Sequence, residues 1–166
     1  MSLQESLGGQ IRAALAMLRQ CIERCPDDVW AAGNHPRAFW RIAYHSLYFT
    51  HLYAMPTEAD FVAWDKDQEQ ARILWDDDED EIPPREVTYS QSEIIEYLDF
   101  IDMNMQAWID KVDFDSVETG FSWYQKQNKM DHMLLNLRHF SIHIGQLQEL
   151  LYTSGIVLDW VSVPNA

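Results

Sequence analysis

Apolar positions recur at steps of three and four along four stretches of the chain, and each stretch predicts a helix with one buried face. In the first, about residues 2–25, Leu3, Leu7, Ile11, Leu15, Leu18, Ile22 and Cys25 form the stripe. Ser2 and Glu5 make a capping box at its start, and Pro26 ends it. The second, about 36–53, reads "PRAFWRIAYHSLYFTHLY" and is apolar or aromatic almost all round, as a deeply buried helix should be. The third, about 90–111, starts on a second capping box, Ser90 with Glu93, and carries Ile94, Leu98, Ile101, Met105 and Trp108. The fourth, about 128–154, places Met133, Leu137, Phe140, Ile144, Leu147 and Leu151 at core spacing and stops at Gly155.

No alternating strand pattern and no internal repeat interrupts this series. The expected architecture is therefore all-α: one domain over residues 1–166, built as a four-helix bundle. The connection between the second and third helices, residues 54–89, is too long for a plain turn. It is expected to hold a short helix at 57–65 and to bring Trp64 and Trp75 to packing sites. Residues 112–127 suggest a turn or short hairpin around Gly120. The apolar tail 156–166 is expected to dock on the bundle or on a second subunit, which makes a homodimer a candidate assembly.

Charge narrows the partners. Twenty-seven acidic against 12 basic residues give a formal net charge of −15, which opposes both phosphate tracking on nucleic acid and attraction to anionic membranes. Residues 76–81, "DDDEDE", read as a solvated loop, without the spaced ligands and turn glycine of a calcium loop. The opening "MSLQESLGGQ" has no basic and apolar leader pattern, and no stretch is long enough to span a membrane. A cytoplasmic location is expected, and the two cysteines agree with it. Cys21 and Cys25 lie on the stripe of the first helix, far in sequence from any histidine pair, and read as small core residues.

The candidate chemistry sits in "LRHFSIHIGQLQELL", residues 137–151. His139 and His143, four apart on a helix, face the same way within a broad apolar arc. A buried imidazole must satisfy two nitrogens, and leaving one bare costs about 1–3 kcal/mol. A shared divalent metal satisfies both residues, with two core histidines in ordinary hydrogen bonds as the competing reading. A catalytic site of zinc type needs three protein ligands and an open position, and His45, mid-way along the second helix, is the best third ligand. His51 points about 120° away from His45, so it reads as a surface or packing residue. His132 lies about 10 Å along the axis from His139, and His35 falls in a loop. Imidazoles without a carboxylate partner suit zinc first, then nickel or iron, and oppose magnesium or calcium. Gln146, near His143, reads as a hydrogen-bond partner of a ligand or a substrate-orienting group.

A mid-helix histidine in "AYHSL" followed by "HFSIHIGQL" resembles the DinB/YfiT-like superfamily of four-helix-bundle proteins. In that family a three-histidine metal site occupies positions matching His45, His139 and His143. The helix order and the long second connection agree over most of the chain. Ile144 stands where many members carry a basic residue. The resemblance implies a metal-dependent enzyme, the better understood relatives being transferases or isomerases that use a low-molecular-weight thiol. A metal on three neutral histidines also activates water, so thiol-S-transfer and hydrolysis of a small-molecule substrate are both expected. Paired ExxH motifs, HExxH and phosphate-binding glycine loops are absent. The alternative is a ligand- or partner-binding bundle with a structural or vestigial metal, for which the many aromatic residues around His45 speak.

Overall fold

The computed structural model describes residues 2–75 and 83–163. Helix α1 (Leu3–Glu23) is followed by a single turn, α2 (Asp27–Trp30), and by two two-residue strands, β1 (Gly33–Asn34) and β2 (Arg37–Ala38). Helices α3 (Phe39–Tyr53), α4 (Gln91–Ile109) and α5 (Lys129–Thr153) complete the framework. The protein is thus all-α, apart from that small hairpin.

Three of the four long helices, α1, α4 and α5, start where the sequence supplies acceptors for otherwise unpaired N–H groups, whereas α3 starts at Ala38 without a side-chain cap. Ser2 Oγ accepts from Glu5 N at 3.1 Å and Ser90 Oγ from Glu93 N at 3.3 Å, with both glutamates bonding back to the cap backbone. Asn128 Oδ1 accepts from Asp131 N at 2.8 Å to open α5. Helix α3 packs on α5 and α4, and α1 packs on α4 and α5, so the four surround one core. Leu18, Ile22, Leu47, Ile101, Phe140 and Leu147 are all fully enclosed in it. Cys21 and Cys25 are buried there as free thiols, and burial pushes both up to about 12.

Two local expectations change. The second long helix begins at Phe39 and not at Pro36, because residues 33–38 form a hairpin with Gly33 paired to Ala38 and Asn34 to Arg37. The short helix expected at 57–65 is only one 3-10 turn, Glu58–Asp60. Asp60 bonds back to Thr57 N, and Glu58 N donates to Gly120 O at 2.9 Å. A second 3-10 turn, Glu69–Arg72, was not foreseen. Residues 112–127 hold turns without a hairpin. Gly120 sits at φ +78°, and a Cβ there would lie 3.0 Å from Pro56 O and Thr57 Cα.

The long connection is fastened to the core by a charge. Arg41, 1% exposed, donates to Gln70 O and Pro84 O at 2.5 Å each and stacks on Trp40. Burial lowers its guanidinium to about 10. Trp64 stacks on Tyr97 with centroids 4.7 Å apart, whereas Trp75 stays 43% exposed beside His45. Residues 76–81, expected as a solvated acidic loop, lie outside the described residues, as do the last three residues of the tail. The described part of the tail docks on α1: Arg24 donates to Val157 O at 3.0 Å, and Gln20 and Asp159 exchange bonds at 3.0 and 3.1 Å.

Candidate metal centre

The α3–α5 contact brings the three expected histidines together. His45 comes from the middle of α3, and His139 and His143 come from consecutive turns of α5. Their ligating nitrogens all lie within 4.8 Å of one another. His45 Nε2 is 3.2 Å from His139 Nε2, and His143 Nε2 is 3.1 Å from the same atom. Four donors placed tetrahedrally about 2.0–2.1 Å from zinc would be about 3.3–3.4 Å apart, so these two separations are near those of a coordination shell.

The outer nitrogens fix the direction of the inner ones. His45 Nδ1 lies 2.6 Å from Arg72 O, a group that can only accept, so Nδ1 carries the proton and Nε2 presents a lone pair. For His143 the argument takes one more step. Arg37 Nη2, which can only donate, is 2.9 Å from Gln146 Oε1, and this sets the orientation of the amide. The same oxygen lies 2.9 Å from His143 Nδ1, so that nitrogen is the donor and His143 Nε2 is also a bare lone pair. Two lone pairs therefore face His139 Nε2. A single proton on His139 can serve them only in part, whereas one cation serves all three rings.

Electrostatics favours the neutral ligand form. Burial holds His45 well below the ordinary imidazole value, and nearby His143, His139 and Arg37 add to this against the Arg72 carbonyl. Burial, with a smaller effect of His143, lowers His139 to about 4. His143 is lowered too, first by burial and then by Arg37, with Gln146 opposing. Neutral imidazoles bind metal without first losing a proton.

Supporting contacts make the site rigid. Arg72, whose carbonyl holds His45, donates to Tyr48 Oη at 2.6 Å and pairs with Asp67 at 3.3 Å, and Tyr44 also bonds to Asp67. Phe49 lies 4.6 Å from the His45 ring and 5.7 Å from His139. His45 and His143 are 5% and 7% exposed, and His139 is more open, so the group faces solvent at the His139 side.

The other histidines stay apart. His51 faces α4, stacked on Trp108 at 4.5 Å with Nδ1 2.9 Å from Tyr97 Oη. His132 is fully buried among Phe121, Tyr124 and Tyr53 and bonds to none of the described residues. His35 lies in the hairpin turn. Gln146 Oε1 lies 2.9 Å from His143 Nδ1. Arg37, which bonds to Gln146, and the Arg72 carbonyl, which bonds to His45, are the parts of the candidate site that sequence reasoning missed. No protein family, curated protein or solved structure matches this chain.

Proposed function

We propose that this chain is a DinB-like four-helix-bundle protein in which His45, His139 and His143 hold a divalent transition metal for catalysis. The supporting observation is the convergence of three neutral imidazoles, two with their outer N–H groups held by Arg72 O and Gln146 Oε1. Zinc is the first choice and nickel or iron the others, because the donor set is all nitrogen and the geometry is compatible with tetrahedral coordination. Bound by neutral ligands, such an ion supplies a positive charge that lowers the pKa of a water or of a low-molecular-weight thiol. The reaction class is accordingly thiol-S-transfer or hydrolysis on a small-molecule substrate.

The chain's own groups have definable tasks. His45 and His143 are fixed in tautomer and direction, and His139 lies on the more open side. Arg37, carried by the hairpin, brings its guanidinium to Gln146 beside the histidines. In this reading it orients an anionic group of the substrate. No helix among the described residues is long and apolar enough to cross a membrane. With its two free thiols, the protein is assigned to the cytoplasm.

Cobalt-substituted protein tests this reading. A small thiol is expected to produce a thiolate-to-cobalt charge-transfer band, and the zinc form is expected to turn over either a thiol-transfer or an activated-ester substrate. A cobalt spectrum unchanged by thiols and by anions, together with no turnover of either substrate class, would refute an open catalytic position.

A further inference from the structure

A cavity lies on the other side of α3. His51 follows His45 by six residues, about 9 Å along the helix and about 120° around it, so it faces α4 and not α5. Between α3, α4 and residues 60–65 there is a cavity of about 530 Å³, within the size range of small-molecule sites. Its walls include Trp64, Phe100 and Trp108. Asp60, Asp65 and Glu96 also line it, and no lysine or arginine among the described residues does.

Two further observations identify the ligand chemistry. The first is Lys66, whose Nζ is 2.6 Å from Glu96 Oε2 and 5.5 Å from the centroid of Trp64. A carboxylate and an indole of this cavity already hold one ammonium at its rim. The second is His51, which is only 2% exposed yet lines the cavity. Burial lowers it to about 4, so it is neutral at pH 7. Tyr97 Oη is buried and has no other hydrogen-bond partner among the described residues, so its O–H donates to His51 Nδ1. The remaining proton of the ring is then on Nε2, which has no partner among the described residues.

We infer that this cavity binds a small alkylammonium compound bearing a hydroxyl oxygen. The cation lies against the aromatic walls and the carboxylates, and the oxygen accepts from His51 Nε2–H. Aromatic faces attract cations through their quadrupole, and the carboxylates repel anionic ligands. The net charge of −15 raises the local concentration of such cations. This site is separate from the histidine centre, so metal-stripped and metal-loaded protein should bind the ligand alike.

Choline is the probe, with tetramethylammonium and the neutral isostere 3,3-dimethylbutan-1-ol as comparisons. Binding to the full chain is measured by calorimetry and by the NMR shifts of the Trp64 and Trp108 indole N–H groups. Saturable choline binding is expected, with tetramethylammonium weaker and the neutral alcohol weaker by about tenfold or more. The double change Asp65→Asn with Glu96→Gln should weaken choline similarly. Lys66→Met should strengthen it severalfold, a gain that structural damage would not give. An absence of saturable indole shifts, or equal binding of choline and the neutral alcohol, would overturn the site. Equal binding of choline and tetramethylammonium would overturn the His51 contact.

Discussion

Replacing Gln146 by leucine tests whether its side-chain oxygen orients His143 for metal binding. Gln146 Oε1 accepts two bonds of 2.9 Å, one from Arg37 Nη2 and one from His143 Nδ1. Leucine fills similar space without an acceptor, so the His143 ring loses both the partner that fixes its tautomer and the restraint on its rotation. Loss of such an outer contact weakens metal binding by about 10–100-fold, or about 1.4–2.7 kcal/mol. Glutamate at the same position keeps an acceptor for both donors and adds an ion pair to Arg37, so Gln146→Glu should bind metal at least as well as wild type. Zinc affinity measured by competition with a chromophoric chelator at fixed pH separates the two variants. If Gln146→Leu binds zinc within about twofold of wild type, the chain Arg37–Gln146–His143 does not orient the ligand, and the tautomer argument fails.

Acid should destabilise the protein through His51 and His132, which burial lowers to about 4. Stability is complete above pH 6.5. Below it the unfolded chain takes up protons that the folded protein refuses, so stability falls towards pH 4, by about 2 kcal/mol per histidine at pH 5. Urea midpoints at pH 7 and 5 should differ accordingly, less so in His132→Phe, and equal midpoints would contradict the burial argument. Gly145→Ala should raise the melting temperature, since it relieves a helix-interior glycine and its Cβ meets nothing within 4 Å. Gly120→Ala should lower it because of the positive φ and the close backbone; the opposite order in thermal melts would refute both assignments. Lys129, 2% exposed, donates to Met55 O, Pro56 O and Thr119 O at 2.6–3.0 Å. Lys129→Met should cost about 3 kcal/mol in chemical denaturation by leaving those carbonyls unpaired, and a neutral result would show that water replaces the amine.

The parts of this molecule that could be read in advance are those governed by helical period and local capping. Ser2 with Glu5 and Ser90 with Glu93 mark helix starts because both partners lie within one turn. His139 and His143 share a direction for the same reason, and His45 was identifiable as a lone histidine amid apolar neighbours. Arg37 was not, because it reaches Gln146 through a hairpin whose strands are two residues long and carry no periodic signal. The Arg72 carbonyl is invisible to any pattern of side chains. The 57–65 segment makes only one 3-10 turn, Glu58–Asp60, and Glu58 N donates to Gly120 O, a partner far away in sequence. His51 looked like a minor packing residue until α4 and the 60–65 segment gave it a cavity to face.

The central claim rests on three imidazoles sharing one ion. Metal content of tag-free protein, measured by mass spectrometry beside His45→Ala and the double change His139→Ala with His143→Ala, tests it directly. About one equivalent of a transition metal in wild type, lost in both variants, is the predicted result. Wild-type protein that takes up no zinc, nickel, iron or copper when supplied with each, or variants that keep their metal, would contradict it.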